Sequence, residues 1–295
     1  MTLEQLKLFR DIAHTRSVSR GARANGVSQS AASQHLQEAE RLLQVQLLDR
    51  TTRPLGLTDA GRLYFEFCRD VLRRQQEFET ELGGLRGRLE GTVRVTAIYS
   101  VGILDMSRLE QELRRRMPEA ELAVEYLRPE KIYAAVQGDQ ADLGIVSYPE
   151  ATREVAVTPW REEKMMVAAA PFHPLASKKT VQVDDLTGID FVAFDDDLRV
   201  GKEVERYLRK KGVEVNVVMH FDNIQTMKEA VALGTGVSIL PVRVLASDIS
   251  QGRLVAIPIK GCTLVRPLGI IHLRRKKFNR AAETFLSLLR EEADA

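Results

Sequence analysis

The chain has 295 residues, of which 44% are hydrophobic and 28% are charged, and its net charge is +2. This length allows two or more domains, each with its own core. The composition is typical of a globular protein, and the small net charge excludes a polycation that coats nucleic acid without selectivity.

Charge is unevenly distributed along the chain. Eight Lys and Arg residues and five Asp and Glu residues precede Thr58. A modestly basic segment on a nearly neutral chain favours phosphate contact at one end of the molecule.

Cysteine usage and hydropathy indicate a cytosolic protein. Cys68 and Cys262 are far apart in sequence and predict no disulfide framework. No stretch approaches the roughly 20 apolar residues that span a bilayer, and the first residues lack the basic and apolar regions of a signal peptide. We therefore expect a cytoplasmic location and no membrane partner.

The chain begins with a predicted helix whose apolar residues recur at helical spacing, namely Leu3, Leu6, Phe9 and Ala13. A second, short helix follows Ser17 and ends at Gly26, because glycine is common where a helix closes. The hydroxyl of Ser28 can then cap a third helix.

The third helix has two different faces. Its apolar face carries Ala32, Leu36, Ala39 and Leu43. Its other face carries amides and hydroxyls, namely Gln29, Ser30, Ser33, Gln34 and Gln37. Amide side chains pair with base edges in the major groove, and Gln pairs most readily with adenine. Two short helices joined by a tight turn predict a helix-turn-helix, although short helices with a polar face also occur in proteins that bind no DNA.

A basic loop, Arg50-Thr51-Thr52-Arg53-Pro54, follows where a wing would lie against phosphates. Residues 58–89 then predict one long helix, a rod of about 48 Å. Its apolar residues recur mostly at steps of three or four and are Leu63, Phe67, Val71, Phe78, Leu82, Leu85 and Leu89. Such a seam predicts a partner helix, and the alternative is a helix that folds back on its own core.

These features resemble the LysR-type transcriptional regulators. The resemblance is carried by Ser17, Ala22, Val27, Ser28, Gln29, Ser33, Glu40, Leu47, Arg50 and the run Leu57-Thr58-Asp59-Ala60-Gly61. The predicted DNA-binding residues are Ser28, Gln29, Ser30, Ser33, Gln34, Arg50 and Arg53. The resemblance implies that the long helix pairs two subunits, and the predicted dimerisation residues are Leu63, Phe67, Val71, Phe78, Leu82 and Leu85. Gly21 and Asn25 depart from the family, which usually has alanine and leucine there.

Alternating strands and helices follow Gly91. Strands are predicted at 92–98, 121–127 and 143–146, with helices at 104–117 and 130–137 between them. The pattern restarts with strands at 164–170, 191–194, 215–220 and 237–240, and with helices at 199–211, 224–233 and near 278–289. This succession predicts a mostly parallel sheet with helices on both faces.

The resemblance extends to this second part through Val231, Gly234, Gly236, Val237, Leu240, Pro241 and the run Arg266-Pro267-Leu268. It implies two α/β lobes of the periplasmic-binding-protein architecture, with a cleft between them. The expected domains are a winged helix-turn-helix (1–57), a linker helix (58–90) and an effector-binding domain (91–295). Lobe I would comprise about 91–161 and 266–295, and lobe II about 162–265.

Ligands of open α/β sheets bind beyond the carboxyl ends of the strands. The residues predicted to bind an effector there are Ser100, Val101, Gly102, Ser147, Arg199, Asn223, Ile224 and Gln225. Neutral donors at two helix starts suit a small anion. Ser100 and Asn223 are equally compatible with plain helix caps, and Arg199 with a surface pair to one of the aspartates at 195–197.

The sequence contains no enzyme signature. The five histidines lack metal-ligand spacing, and the common hydrolase, zinc-protease and phosphate-loop motifs are absent. We therefore expect no catalysis, metal or cofactor, and interpret the chain as a DNA-binding transcriptional regulator that forms a homodimer or homotetramer and senses a small metabolite. RNA polymerase is an expected further partner. The alternatives are a regulator whose second domain only oligomerises, and a solute-binding protein or enzyme with the same two lobes.

Overall fold

The computed structural model describes residues 1–85, 91–101 and 103–293. The helices of these residues are α1 (Leu3–Thr15), α2 (Val18–Ala24), α3 (Gln29–Leu43), α4 (Asp59–Leu85), α5 (Ile103–Arg116), α6 (Pro129–Gln137), α7 (Arg199–Lys210), α8 (Ile224–Ala232), α9 (Val242–Ser250) and α10 (Arg280–Ala293). The strands are β1 (Leu48–Asp49), β2 (Gly56–Leu57), β3 (Gly91–Ala97), β4 (Ala120–Tyr126), β5 (Leu143–Ser147), β6 (Val155–Ala169), β7 (Asp190–Phe194), β8 (Asn216–Phe221), β9 (Ser238–Pro241), β10 (Val255–Ile257) and β11 (Val265–Leu273).

Residues 1–57, here called the head, form a helix-turn-helix with a two-stranded wing. Helix α2 can lie directly on α1 because Gly21 has no side chain, and a Cβ there would come within 2.5 Å of Cγ1 of Ile12. Ala32 and Leu36 are buried, as predicted from the apolar face of α3. Leu43 is exposed, contrary to that pattern, because the last turn of α3 extends beyond the core of the head.

Helix α4 leaves the head after the wing. The hydroxyl of Thr58 accepts a hydrogen bond from the backbone N–H of Gly61 at 2.9 Å and so satisfies one donor of the first turn. The 27 residues of α4 correspond to about 40 Å of helix. The end predicted at Leu89 lies outside the described residues.

The rest of the chain forms two α/β lobes joined by a curled sheet, which confirms the predicted fold class. The strand order is β10-β6-β11-β5-β3-β4, and β9 also pairs with β6. Strands β3, β4 and β5 are parallel, and so are β7 and β8 in a separate two-stranded sheet. Strands β9, β10 and β11 pair antiparallel with β6, so the prediction of a mostly parallel sheet holds only for part of each lobe.

Strand β6 connects the lobes and was predicted only in its second half. Its first half pairs with β11, and its second half pairs with β9 and β10. The first half has Pro159 and the charged residues Arg161 and Glu163 in place of an apolar run, which conceals the strand in the sequence. These charges are tolerated because they are paired across the sheet and with neighbouring helices.

Candidate functional site

The polar face of α3 lies at the surface of the head. Gln29, Ser30 and Gln34 are exposed, and Ser33 is half-buried. The hydroxyl of Ser28 accepts a hydrogen bond from the backbone N–H at position 31 at 3.2 Å, so Ser28 caps the helix as predicted. The surface therefore offers amide and hydroxyl groups, which are suited to hydrogen bonding with base edges.

Gln29 is oriented by the preceding helix. The hydroxyl of Ser19 donates a hydrogen bond to Oε1 of Gln29 at 2.9 Å. Bidentate recognition of adenine uses the amide oxygen as acceptor and the amide nitrogen as donor. Because an amide oxygen has two lone pairs, Oε1 of Gln29 can accept from a base while it keeps the hydrogen bond from Ser19.

The predicted basic loop forms the turn between β1 and β2. Arg50 donates a hydrogen bond to Glu40 at 3.1 Å, and the other carboxylate oxygen of Glu40 accepts one from the backbone N–H of Leu47. Glu40 therefore ties the wing to α3. The side chains of Arg50 and Arg53 are both exposed, so both can reach a phosphate beside the head.

Helix α4 carries two apolar faces. Leu63, Phe67 and Phe78 are 72%, 47% and 61% exposed, which leaves them available to a partner helix. Val71 was predicted on the same face, but it packs against the core of the head. It follows Tyr64 and Cys68 at helical spacing, and both of these are buried. The side chains of Leu82 and Leu85 lie outside the described residues.

A small cavity of about 40 Å³ lies between the lobes, and three of the predicted effector residues line it, namely Ser100, Ser147 and Ile224. It also contains two arginines that were not predicted, Arg128 and Arg266. Ser100 does not cap a helix through its hydroxyl, which instead accepts a hydrogen bond from Nη1 of Arg266 at 2.8 Å.

Arg128 connects the lobes at this smaller cavity. It precedes α6 of lobe I, and its guanidinium donates to both carboxylate oxygens of Asp197 in lobe II, at 2.8 and 2.7 Å. A second acid of lobe II, Asp222, is 3.8 Å away. Desolvation alone would lower the pKa of Arg128, but the charges of Asp197 and Asp222 outweigh it and raise that pKa.

Arg266 forms the buried wall of the smaller cavity and is 1% exposed. Its Nε donates to Glu163 at 3.0 Å, and its Nη2 also contacts that carboxylate. Burial lowers the pKa of Arg266, and the charge of Glu163 opposes that shift. Arg266 lies on β11 and Glu163 on β6, so this ion pair joins the two strands that connect the lobes.

A larger cavity of about 630 Å³ also lies between the lobes. It contains the predicted residues Val101, Asn223 and Gln225 and shares Ser100 and Ile224 with the smaller cavity. Asn223 caps α8, because its side chain accepts a hydrogen bond from the backbone N–H of Gln225 at 2.8 Å. The predicted residue Gly102 lies outside the described residues.

Arg199 lines neither cavity. It pairs with Glu150 of lobe I and with Glu203 on its own helix. These partners differ from the alternative prediction, a pair with an aspartate at 195–197. Arg199 and Glu203 are four residues apart and lie on one face of α7, whereas the aspartates precede the helix.

Comparison with known families decides how this arrangement is classified. Residues 3–62 match the profile described as "Bacterial regulatory helix-turn-helix protein, lysR family", and residues 86–294 match the "LysR substrate binding domain". The chain belongs to the LysR family. The resemblance seen in the sequence is thereby confirmed.

Known LysR-family relatives align with nearly the whole chain. A probable RuBisCO transcriptional regulator of Trichormus variabilis is 27% identical over 290 residues, which cover 96% of this chain and 86% of the relative. A full-length OxyR variant of Pseudomonas aeruginosa is 22% identical, with a TM-score of 0.62 and coverage of 98% of this chain and all of that one. The family profiles and the name of the RuBisCO regulator confirm the expectation of a transcriptional regulator rather than an enzyme.

A third relative covers the second domain alone. The regulatory domain of Synechocystis CcmR, solved in complex with 2-PG, is 24% identical and has a TM-score of 0.63. It covers 69% of this chain and 98% of its own length. The two lobes described here therefore have the fold of a LysR-family regulatory domain.

The two arginines of the smaller cavity differ in how far the sequence could reveal them. Arg266 was noted as part of the family pattern but given no role, and its partner Glu163 is 103 residues away. Arg128 follows the end of β4, so the rule that ligands bind beyond strand ends already pointed to it.

In this LysR-family chain, helix α6 reaches from the cleft to the head. Arg128 and the first turn of α6 line the smaller cavity. At the other end, Arg69 of α4 donates to the carbonyl oxygen of Gln137 at 3.3 Å. Just beyond α6, the side-chain amide of Gln140 donates to the buried Asp11 of the head at 3.3 Å. One short helix thus contacts both regions.

The residues that the structure describes contain neither a membrane-spanning helix nor a metal-binding cluster. Among them, no helix is both long and apolar enough to cross a bilayer. Within the same residues, no group of three or more His, Cys, Asp and Glu side chains is arranged to hold a metal ion.

Proposed function

We propose that this LysR-family protein is a sequence-specific transcriptional regulator that responds to a small anionic metabolite bound in the smaller cavity. The observation that carries the proposal is the contact of Arg128 with Asp197 and Asp222 across the cleft. Carboxylates of the protein already occupy positions beside this guanidinium. A carboxylate or oxyanion of a metabolite has the same chemistry and can replace them.

The other groups of the smaller cavity support an anion of this kind. Ser100 and Ser147 supply hydroxyl donors on the lobe I side, and Arg266 adds a second guanidinium. The charge of Arg266 is balanced by Glu163, so Arg128 is the cation that an incoming anion competes for. The reported complex of CcmR with 2-PG supports ligand binding by a domain of this fold.

Binding would reach the DNA through α6 and α4. An anion that takes Arg128 away from lobe II changes the position of the first turn of α6, and a helix transmits such a change along its length. The far end touches Arg69 and Asp11. A ligand shifts the arrangement of lobes and head by its differential affinity for the two arrangements.

The DNA contacts of the proposal are those of α3 and the wing. Gln29, Ser33 and their polar neighbours on α3 would read base edges, and Arg50 and Arg53 would bind phosphates. Leu63, Phe67 and Phe78 would pair α4 with a second copy, so that two heads bind two half-sites. Cytoplasmic location and contact with RNA polymerase complete the proposal.

The test uses the full chain and a pair of matched variants. Operator sites are selected from random DNA, and metabolites are screened by thermal shift and by their effect on operator binding. Arg128→Gln and Arg199→Gln each remove one arginine that bridges the lobes, but only Arg128 lines the cavity. Arg128→Gln should weaken the effector response about tenfold or more, because a hydrogen bond to a charged group is lost.

The matched outcomes separate the proposal from its alternative. Arg199→Gln should leave the response within about twofold of the unaltered chain, because its exposed pair contributes little. If both variants lose the effector response equally, the response depends on the contacts between the lobes, and Arg128 has no direct role in binding the metabolite. If no metabolite alters operator binding, the second domain serves assembly alone.

A further inference from the structure

We propose that the larger cavity is a second ligand site, distinct from the proposed effector site, which takes an organic anion that carries a planar ring. Its volume of about 630 Å³ lies within the range of small-molecule sites, about 300–1,000 Å³. Its two walls differ in chemistry, and that difference specifies the ligand.

The wall from lobe I is aromatic. The rings of Tyr99 and Tyr126 lie side by side, with centroids 6.4 Å apart and planes inclined by 23°. Tyr99 is 51% exposed, although it lies at a cleft between lobes. A planar ring that enters the cavity can therefore stack against an aromatic surface that already exists.

The wall from lobe II is polar and cationic. Lys228, Arg243 and Arg253 of lobe II line the cavity, together with Asp248 of the same lobe and Asp105 of lobe I. This lining therefore has an excess of positive charge. Amides and a hydroxyl lie among the charges, namely Asn223, Gln225, Gln251 and Ser247.

The cations differ in how readily they can leave their ion pairs and bind a ligand. Lys228 donates to Asp248 at 2.7 Å and to the carbonyl oxygen of Val244 at 3.1 Å, and this group is buried and fixed. Arg253 pairs with Glu229, and the two side chains are 40% and 49% exposed, while Nε of Arg253 lies 3.2 Å from the buried Asp248. An exposed pair of this kind is weak, so Arg253 can exchange Glu229 for a ligand anion at little cost.

The larger and smaller cavities can be tested separately. Tyr126 and Arg253 line only the larger one, whereas Arg128 and Ser147 line only the smaller one. The shared residues Tyr99, Ser100 and Ile224 form the boundary between them. Variants on either side of this boundary therefore report on one site each.

The experiment is calorimetric titration of the full chain with small molecules. Some of these probes carry both a planar ring and a negative charge, and the others carry only one of the two. Benzoate and adenosine monophosphate carry both a ring and an anion, and together they distinguish an aromatic carboxylate from a nucleotide. Acetate and inorganic phosphate carry the charge alone, and benzyl alcohol and adenosine carry the ring alone. At least one of the first two probes should bind at least tenfold more tightly than its single-feature counterparts.

Variants then locate the binding. Tyr126→Leu should weaken it roughly tenfold through loss of stacking, and Tyr126→Phe should preserve it. Arg253→Gln should also weaken it about tenfold, whereas Arg128→Gln should leave it unchanged. The proposal is overturned if neither two-feature probe binds, if the ring or the charge alone binds equally well, or if Arg128→Gln abolishes binding while Tyr126→Leu does not. Failure of the proposed effector response in Arg128→Gln is a separate readout and leaves this test intact.

Discussion

The ion pairs at the mouth of the cleft and those at its hinge have the same chemistry but differ in burial. At the mouth, Arg128 and Asp197 are 33% and 64% exposed, and Arg199 with Glu150 is similarly open to solvent. At the hinge, Arg266 and Glu163 are 2% and 3% exposed. Both kinds of pair hold lobe I and lobe II in one arrangement.

The difference in burial assigns different roles to the two kinds of pair. An exposed pair contributes about 0–1 kcal/mol and exchanges readily with solvent ions. Removing one partner of a buried pair costs about 3–5 kcal/mol, because the other charge is left without compensation. The buried pair therefore fixes the path of the two connecting strands, whereas the exposed pairs at the mouth can exchange their partners at little cost.

The largest effect is expected from breaking the hinge. Glu163→Gln leaves Arg266 buried beside a neutral amide and should reduce the free energy of unfolding by about 3–5 kcal/mol. Denaturant unfolding of the full chain, followed by circular dichroism, measures the change. A loss below about 1 kcal/mol would show that the hinge pair behaves like a surface pair.

A double variant sharpens that result. Replacing both partners, with Glu163→Met and Arg266→Met, removes the uncompensated charge and should recover most of the lost stability. If the double variant is less stable than Glu163→Gln, then the positive charge of Arg266 also stabilises groups around it.

The second largest effect is expected in a buried cluster of lobe I that consists of Arg94, Asp142 and Lys276. Lys276 and Asp142 are each 5% exposed and lie 2.9 Å apart, and Arg94 donates to the same carboxylate at 2.7 Å. Burial alone would raise the pKa of Asp142, but the hydrogen bond from Arg94 and the charges of Lys276 and Arg94 hold it below 3.8. A lowered carboxylate pKa adds stability above the unfolded value of 3.8, and this stability is lost as the pH falls below it.

Lys276→Met should therefore move acid unfolding to higher pH. The variant loses one of the charges that hold the pKa of Asp142 down, and we expect about 1–3 kcal/mol less stability at pH 7. Unfolding followed from pH 7 to pH 2 tests both statements. An unchanged acid midpoint would mean that Arg94 alone sets that pKa.

A smaller effect on stability is expected at the mouth. Arg128→Gln should change the free energy of unfolding by no more than about 1 kcal/mol. It removes a contact between the lobes, however, so small-angle scattering of the variant should fit a more open arrangement than that of the unaltered chain. Unchanged scattering would mean that contacts other than that of Arg128 hold the two lobes together.

The smallest effect is expected from Arg199→Gln. Its pair with Glu150 is exposed on both sides, so unfolding should change by less than about 0.5 kcal/mol. Because both variants replace arginine by glutamine at the mouth, their difference isolates the role of Arg128 in the cavity.

The regular elements could be predicted because their signals are local. The apolar spacing of α1 and α3 and the cap at Ser28 lie within a few residues of one another. Strand β6 is different, because its first half contains Arg161 and Glu163, which become compatible with burial only when other strands and helices supply the opposite charges. Its burial is set by tertiary pairing, which periodicity in one segment does not show.

The candidate site was predictable only in part for the same reason. Ser100, Ser147 and Ile224 lie at or just beyond strand ends. The rule that ligands bind there predicted them, and all three line the smaller cavity. Arg199 satisfied a local charge pattern but pairs with Glu150 from the other lobe. Val71 fitted a spacing rule that allows two faces of α4, and the position of the head decides between them.

Under the proposed function, the contact of Arg128 with Asp197 and Asp222 would also lower the apparent affinity for the metabolite. These acids are tethered competitors, because both belong to the chain and lie beside the guanidinium of Arg128. The apparent affinity of a free anion is its intrinsic affinity multiplied by the fraction of molecules in which Arg128 is released. Because an exposed pair of this kind contributes about 0–1 kcal/mol, this competition should lower the apparent affinity by a factor of no more than about six.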